Sequence, residues 1–266
     1  MFRGLYTATS GMMSQNRQQQ VLTNNLSNAN TPGFKKDDSA IRSFPEQLIK
    51  AMNTNQPAPI GTLSTGVYLQ EAIPSFLQGP LLETGHSTDF ALVDDNLPDD
   101  PDGQRGSLLF AVENADGDVR YTRNGQFTVD AQGFLATSFG QRVLGENLQP
   151  VQVEDSGFTV QENGQITRQD GTDGGKLWIG ATADPAQLVK EGHNLLNWAG
   201  AEADAPALAA DEGNYIKQGF IEQSNVDLTR TMTDMMMAYR GFESNQKVIQ
   251  AYDRSMEKAV NEIGRV

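Results

Sequence analysis

From Leu228 onward, apolar positions recur at alternating spacings of four and three: Leu228, Met232, Met235, Tyr239, Phe242, Gln246, Ile249, Asp253, Met256, Val260 and Ile263. Nine of these eleven are apolar or aromatic, and a sustained 3.5-residue period is the seam of a coiled coil. No proline interrupts residues 218–266, and Asn225 or Asp227 supplies a side chain able to cap the helix start. The same spacing at the other end of the chain picks out Leu5, Ala8, Met12, Gln15, Gln19, Leu22, Leu26 and Ala29. That seam is weaker. It contains two glutamines, and Gly4 and Gly11 each cost about 1 kcal/mol relative to Ala in a helix interior. The N-terminal helix is expected to stop near Asn30-Thr31-Pro32-Gly33, because the residue before a proline is pushed out of the α region and Gly33 is free to turn.

Between these ends the helical period gives way to short apolar runs separated by turn signals. Residues 108–112, 119–122, 127–129, 158–160, 166–167 and 176–180 are short apolar runs, separated by Asn114-Ala115-Asp116-Gly117-Asp118, Asn124-Gly125, Asp130-Ala131-Gln132-Gly133 and Asn163-Gly164. Asn-Gly and Asp-Gly between such runs are strong hairpin signals. Residues 37–65, with Pro45, Pro57 and Pro59, read as a long connector, and 199–214 as a second loop. The predicted fold class is α+β: a discontinuous, mainly β domain of short antiparallel strands, sandwich- or barrel-like, inserted between terminal helices that form a coiled-coil-like pair. The expected division is 1–33 for the N-terminal axial helix, 34–66 for the extended connector, 67–217 for the β-rich outer domain and 218–266 for the C-terminal helix that pairs with 1–33.

Composition narrows the function. The chain has 266 residues, no cysteine and a formal charge of −14. The length is ample for a core, while the missing cysteines exclude disulfides, thiol nucleophiles and thiolate metal sites. Residues 1–36 carry four basic groups and no acid, and residues 217–266 carry seven of each. The remaining nine basic and 27 acidic groups give the middle a net −18. Such acidity argues against nucleic acid as a partner. No apolar run is long enough to insert in a membrane, and the first residues lack the form of a cleaved signal peptide.

Candidate chemistry is sparse. His86 and His193 are the only histidines, and neither stands beside a G-x-S-x-G elbow or in an H-E-x-x-H zinc pattern. The acid-rich stretch 94–103 lacks the order of an EF-hand loop. No phosphate-binding glycine loop occurs, and no carboxylate pair among the 34 acids is singled out. No catalytic, cofactor-binding or metal residue is assigned, and no cofactor is expected. The cluster Met232, Met235, Met236 and Met237 suits either core filling or a surface that packs against several different neighbours. Burial along the C-terminal seam falls short of the entropy of ordering the segment, so the helices need partners. Those partners are either each other, in a hairpin closing one domain, or further copies of the chain.

Residues 22–35, Leu-Thr-Asn-Asn-Leu-Ser-Asn-Ala-Asn-Thr-Pro-Gly-Phe-Lys, closely resemble the N-terminal signature of bacterial flagellar rod and hook proteins, N-N-[LI]-[AS]-N-x-x-T-x-G-[FY]-[KR]. Tyr121-Thr122-Arg123-Asn124-Gly125-Gln126-Phe127, the following Asp130–Leu135 stretch and Arg142-Val143-Leu144-Gly145 resemble the family's hairpins. Gln218-Gly219-Phe220-Ile221-Glu222-Gln223-Ser224-Asn225-Val226-Asp227 resembles its Q-G-x-[LI]-E-x-S-N-V-[DN]. Length favours the proximal or distal rod class, with the best resemblance to the Gram-positive type. After Val93 the family's G-x-G-F-F is replaced by Asp94-Asp95-Asn96-Leu97-Pro98, and the expected strand is delayed to Leu108–Phe110.

The resemblance implies a structural rod subunit, not an enzyme. Such a subunit leaves the cell through the flagellar type III export apparatus without a cleaved signal, reaches the extracytoplasmic basal body, and joins copies of itself and other rod and hook subunits in a tube that transmits torque. The assembly motif is then Asn24, Asn25, Leu26, Asn28, Thr31, Gly33 and Phe34. The helix seam is Leu5, Met12 and Leu22 against Leu228, Met232, Met235, Tyr239, Phe242, Ile249, Met256 and Val260. The rival reading is an extracellular β-domain that binds a ligand and is dimerised by its helices.

Overall fold

A computed structural model describes residues 2–50, 59–94, 106–114, 116–155, 157–182, 184–201, 205–208 and 215–263. Most of the acidic stretch 94–103 lies outside the described residues. The chain divides into two compact units. The first is residues 1–27, 37–73 and 227–266, and the second is residues 28–36 and 74–226.

The first unit is built on two helices, α1 (Phe2–Ser27) and α2 (Leu228–Lys258). Asp227 caps α2, its carboxylate accepting from the Arg230 amide at 3.0 Å, which satisfies one of the orphan donors of a helix start. A single π turn, Ala259–Ile263, follows α2. The helices pack antiparallel: Gly4 lies against Tyr252, Gly11 against Asn245, and Gly241 against Gln15. A Cβ at Gly11 would meet Asn245 Nδ2 at 2.9 Å, and one at Gly4 would fall on the Tyr252 hydroxyl. The glycines that weaken α1 as an isolated helix therefore permit its close approach to α2.

Four strands complete this unit: β1 (Asp37–Ser43), β2 (Gln47–Lys50), β3 (Pro59–Leu63) and β4 (Val67–Pro74), whose last residue begins the second unit. β1 pairs with β4, and β2 with β3. The expected connector is thus largely a paired ribbon. Pro45 falls between β1 and β2, and Pro59 opens β3, both positions where a missing backbone donor is tolerated. Pro57 lies outside the described residues. Hydroxyls of α1 hold the ribbon by its backbone, with Ser14 Oγ donating to Val67 O at 3.1 Å.

The second unit contains β5 (Leu81–Glu83), β6 (Phe90–Leu92), β7 (Ser107–Glu113), β8 (Val119–Thr122), β9 (Phe127–Val129), β10 (Leu135–Thr137), β11 (Arg142–Val143), β12 (Thr159–Val160), β13 (Gln165–Thr167), β14 (Asp173–Lys176), β15 (Ile179–Thr182), β16 (Leu188–Gly192), β17 (Leu195–Trp198), β18 (Ala207–Leu208), β19 (Ile216–Gln218) and β20 (Phe220–Glu222). A nine-stranded sheet runs β16-β17-β8-β7-β11-β10-β9, with β15 bridging β7 and β18. Its recorded pairings are antiparallel, as the hairpin signals predict.

The run 176–180 is split. Leu177 and Trp178 bond out of register, to Gly164 O and Leu144 O, and both are buried. The core gathers Phe90, Leu108, Phe110, Phe127, Leu135, Ile166 and Leu177, with the Phe110 and Phe127 rings edge to face at 5.2 Å. Residues 216–222 belong to this unit too, because β19 pairs with β6 and β20 with β5. The C-terminal helix accordingly begins ten residues after the expected boundary at 218, once β-pairing has used the preceding backbone.

The α1–α2 contact yields a first prediction. Gly11→Leu removes a poor helix former, which in isolation favours α1 by about 0.5–1 kcal/mol. In the protein it drives a side chain into Asn245. The expected outcome is a loss of helical signal in far-UV circular dichroism, whereas Gly11→Ala gives a smaller loss; equal or greater helicity in Gly11→Leu contradicts the packing.

Candidate assembly site

The predicted assembly motif straddles the end of α1. Asn25 is buried in the first unit and makes a two-way clamp on one residue: its Nδ2 donates to Asp37 O at 2.8 Å, and its Oδ1 accepts from Asp37 N at 2.9 Å. Leu26 is half-buried and Asn24 is exposed. In the second unit the chain turns at once. Thr31 N donates to Asn28 O, Thr31 Oγ1 to Asn28 Oδ1, and Phe34 N to Thr31 O. Gly33 has φ +69°, and a Cβ there would sit 2.5 Å from the backbone at Arg123 and Asn124, so both conformation and space demand glycine. Its amide donates to Glu222 O at 2.8 Å. Phe34 is buried beneath the Lys190 ammonium, 4.4 Å from the ring centre.

This turn delivers Lys35 into a buried ionic cluster that sequence reasoning did not assign. Glu222 Oε1 accepts from Lys35 Nζ at 2.7 Å and from Gly79 N at 2.7 Å. Its other oxygen accepts from Arg123 Nε. Arg123 also forks onto Asp94, at 2.8 and 2.7 Å, and donates to Leu108 O and Leu92 O. Lys35 donates to Leu77 O at 2.9 Å. Lys35, Arg123 and Glu222 are all nearly inaccessible to water.

Burial pushes the Lys35 ammonium down to about 8, with nearby Arg123 adding to the effect and Glu222 opposing it. Burial also works against the Glu222 carboxylate, but Arg123 and Lys35 outweigh it and hold the group below its ordinary value. Arg123 stays firmly charged, because Glu222 and Asp94 more than offset its burial.

Next to the cluster, Asn225 ties two stretches of backbone together. Its Oδ1 accepts from Lys36 N at 2.8 Å, and its Nδ2 donates to Ser75 O at 2.8 Å and Leu77 O at 3.0 Å.

The predicted seam residues divide. Leu5, Met12 and Leu22 on α1 are half-buried, as are Met235, Phe242, Ile249 and Met256 on α2. Leu228, Met232, Tyr239 and Val260 are exposed. The inner flank of α2 consists instead of Thr231, Ala238, Asn245, Tyr252 and Ala259. Tyr252 and Asn245 face the glycines of α1, and the larger apolar stripe is half-buried at Met235, Phe242, Ile249 and Met256 and exposed at the other four positions. Among the described residues, no group of three or more His, Asp or Glu side chains could hold a metal ion.

Three family models match the chain. They are the flagella basal body rod protein over residues 5–35, the flagellar hook protein FlgE/F/G D1 domain over 105–168, and the flagellar basal body rod FlgEFG protein C-terminal over 217–262. Over their full lengths, the chain and the flagellar hook-basal body complex protein FlhO of Bacillus subtilis are 40% identical. The chain belongs to the flagellar basal-body rod protein family. The rod protein FlgG of Bacillus subtilis is 32% identical over 98% of this chain and 99% of its own length. FlgF of Escherichia coli is 29% identical over 97% of each. The Bacillus matches agree with the resemblance to the Gram-positive type. As a rod-family member the protein is a structural basal-body subunit, a role that implies no enzymatic activity.

Lys35, Arg123 and Glu222 fall one in each of the three matched segments. The stretches that mark a rod protein in sequence are therefore joined in space by one carboxylate. Their residue types stood in the quoted motifs. The available signal was three charged residues, two basic and one acidic, inside otherwise apolar and turn-forming stretches.

Among the described residues, Glu222→Gln leaves two buried cations with Asp94 as their only carboxylate, and breaking a buried pair costs about 3–5 kcal/mol. Chemical denaturation of the purified protein should show a loss of that size. It should also show less dependence on acid: the Glu222 contribution is complete above its unfolded value near 4.5 and disappears as pH falls through its lower folded value. Lys35 acts in the same direction, in a higher pH range. Between pH 8 and 10.5 the unfolded chain holds the extra proton, so this group makes stability rise with pH. Comparing Lys35→Met with the parent over that range checks the sign, since the variant lacks the rise.

Proposed function

We propose that the protein assembles through its terminal helices, with copies of itself and with other rod and hook subunits, into the helical tube that transmits torque from motor to hook. In this reading α1 and α2 form a coiled-coil-like axial layer, and the β-rich unit, closing barrel-like, forms the outer layer. The seam and the 24–34 motif are the assembling elements, and the chain reaches its extracytoplasmic site through the flagellar export apparatus without a cleaved signal.

The observation that supports this reading is the inverted α2. Leu228, Met232, Met236, Met237, Tyr239 and Val260 are all exposed, while a smaller and more polar flank faces α1. A helix that ended its packing within one chain would turn its larger apolar side chains inward. Along the α1–α2 groove, Gln19, Thr23, Met235, Met236, Tyr239, Arg240 and Glu243 line a cleft of about 450 Å³. It continues the intramolecular contact outward, where another helix fits. Heterologous contacts of this kind, repeated without closing, generate filaments.

Substituting Met232→Asp or Tyr239→Asp on the exposed flank, or Met235→Asp or Phe242→Asp on the shared column, should leave the β-unit's thermal transition unchanged. Each should abolish incorporation into basal bodies and motility. Normal rods with all four substitutions overturn the seam. A discrete dimer that is absent from stringently washed basal bodies favours the ligand-binding module instead.

A further inference from the structure

The methionines on α2 are arranged so that one oxidation chemistry separates the free chain from the assembled one. Four of the protein's nine methionines fall within residues 232–237. Met232, Met236 and Met237 are 51%, 58% and 59% exposed, whereas Met235 and Met256 are half-buried. Met232 and Met236 are one turn apart and share a column, and Met236 forms part of the cleft beside Tyr239.

We propose that Met232, Met236 and Met237 form a modification site at which sulfoxidation by a peroxide blocks self-association of the chain. The proposal rests on the reading that α2 packs its exposed flank against a second copy. In the reaction the thioether sulfur attacks one peroxide oxygen, an S–O bond forms and the O–O bond breaks. The displaced hydroxide takes up the remaining proton and leaves as water. Thioether and hydrogen peroxide thus give sulfoxide and water, the sulfur being oxidised and the peroxide reduced.

On a solvated flank the product costs the monomer little, because water satisfies the new S–O dipole. Against an apolar partner the same dipole is buried without a donor, which is the expensive case for a polar group. The modification therefore leaves the fold intact and penalises only association. It is also self-limiting. A sulfur covered by a neighbouring helix is closed to peroxide, so incorporated subunits are protected and unassembled ones are vulnerable. Met235 and Met256, being half-buried, react later.

The test uses the purified full-length chain, treated with dilute hydrogen peroxide and sampled over time. Peptide mass spectrometry locates each sulfoxide, and sedimentation velocity over a concentration series reads self-association. Expected is sulfoxide at Met232, Met236 and Met237 several-fold ahead of Met235 and Met256. Association weakens by at least about tenfold per buried sulfoxide, circular dichroism is unchanged, and methionine sulfoxide reductases restore association. The triple variant Met232→Leu, Met236→Leu, Met237→Leu keeps volume and apolarity; its association is compared with its own untreated value, and the treatment leaves it unchanged.

Unchanged association with all three residues oxidised overturns the site, as does equal loss in the triple leucine variant. An untreated chain that never self-associates and is absent from basal bodies overturns the assembly reading itself, and the site with it.

Discussion

The Glu222 carboxylate stands between two cations that arrive from distant parts of the chain, Lys35 at 2.7 Å and Arg123 on its other oxygen. Removing charges from water is expensive, and a buried pair is no assurance of net stability against an apolar equivalent. What it supplies here is exclusivity of arrangement. Lys35 reaches the cluster only if Gly33 turns at positive φ and Phe34 is seated. Arg123 reaches it only from the hairpin after β8, and Glu222 only if β20 pairs with β5. An apolar side chain would tolerate a shift of one residue in any of these; a carboxylate with one cation on each oxygen does not.

The same constraint explains why the rod-family stretches lie so far apart in sequence. The 22–35 segment, the 121–127 hairpin and the 218–227 segment are each too short to bury much surface. Each instead contributes one charged group and several backbone bonds to a shared site. Gly33 donates to Glu222 O, and Asn225 draws Lys36, Ser75 and Leu77 together. Neither segment flanking the helices could be altered alone without leaving a buried donor, acceptor or charge unpaired.

Periodicity made the helices, most of the strands and the turns between them legible, because those are local decisions. Asp227 was available as a cap, and Asn114–Asp118, Asp130–Gly133 and Asn163–Gly164 all turn as their residue types require. Two features were hidden for physical reasons. The ribbon at 37–50 and 59–74 was masked by prolines, which mark breaks in a central strand but are harmless at a ribbon's turns and starts. The inner face of α2 was hidden by size: hydrophobic spacing selects the largest apolar side chains, whereas α1 and α2 approach closely at glycines, Gly4 against Tyr252, Gly11 against Asn245 and Gly241 against Gln15. Gly4, Gly11, Ala238 and Gly241 thus fix the contact, and Leu228, Met232 and Tyr239 are left outside. The ionic cluster was the least legible. Its members were in view, but a pairing across 187 residues has no local signal.

That displacement of the contact face bears on how one helix would serve both its packing on α1 and the proposed second association. Met235, Phe242, Ile249 and Met256 form a half-buried column between the small flank turned to α1 and the large flank turned to solvent. A helix using its full apolar stripe within the chain would be stable alone and would have little left to bind with. A helix presenting the whole stripe outward would have nothing to orient it. Splitting the stripe lets the small flank set the direction of α2 through close, register-specific contacts with α1, while the larger and more hydrophobic flank keeps its free energy for a partner. Methionine suits that outer flank because an unbranched thioether adapts to neighbours of differing shape. The same softness makes it oxidisable. In the proposed assembly, adaptability to several partners and sensitivity to peroxide are two consequences of one choice of side chain.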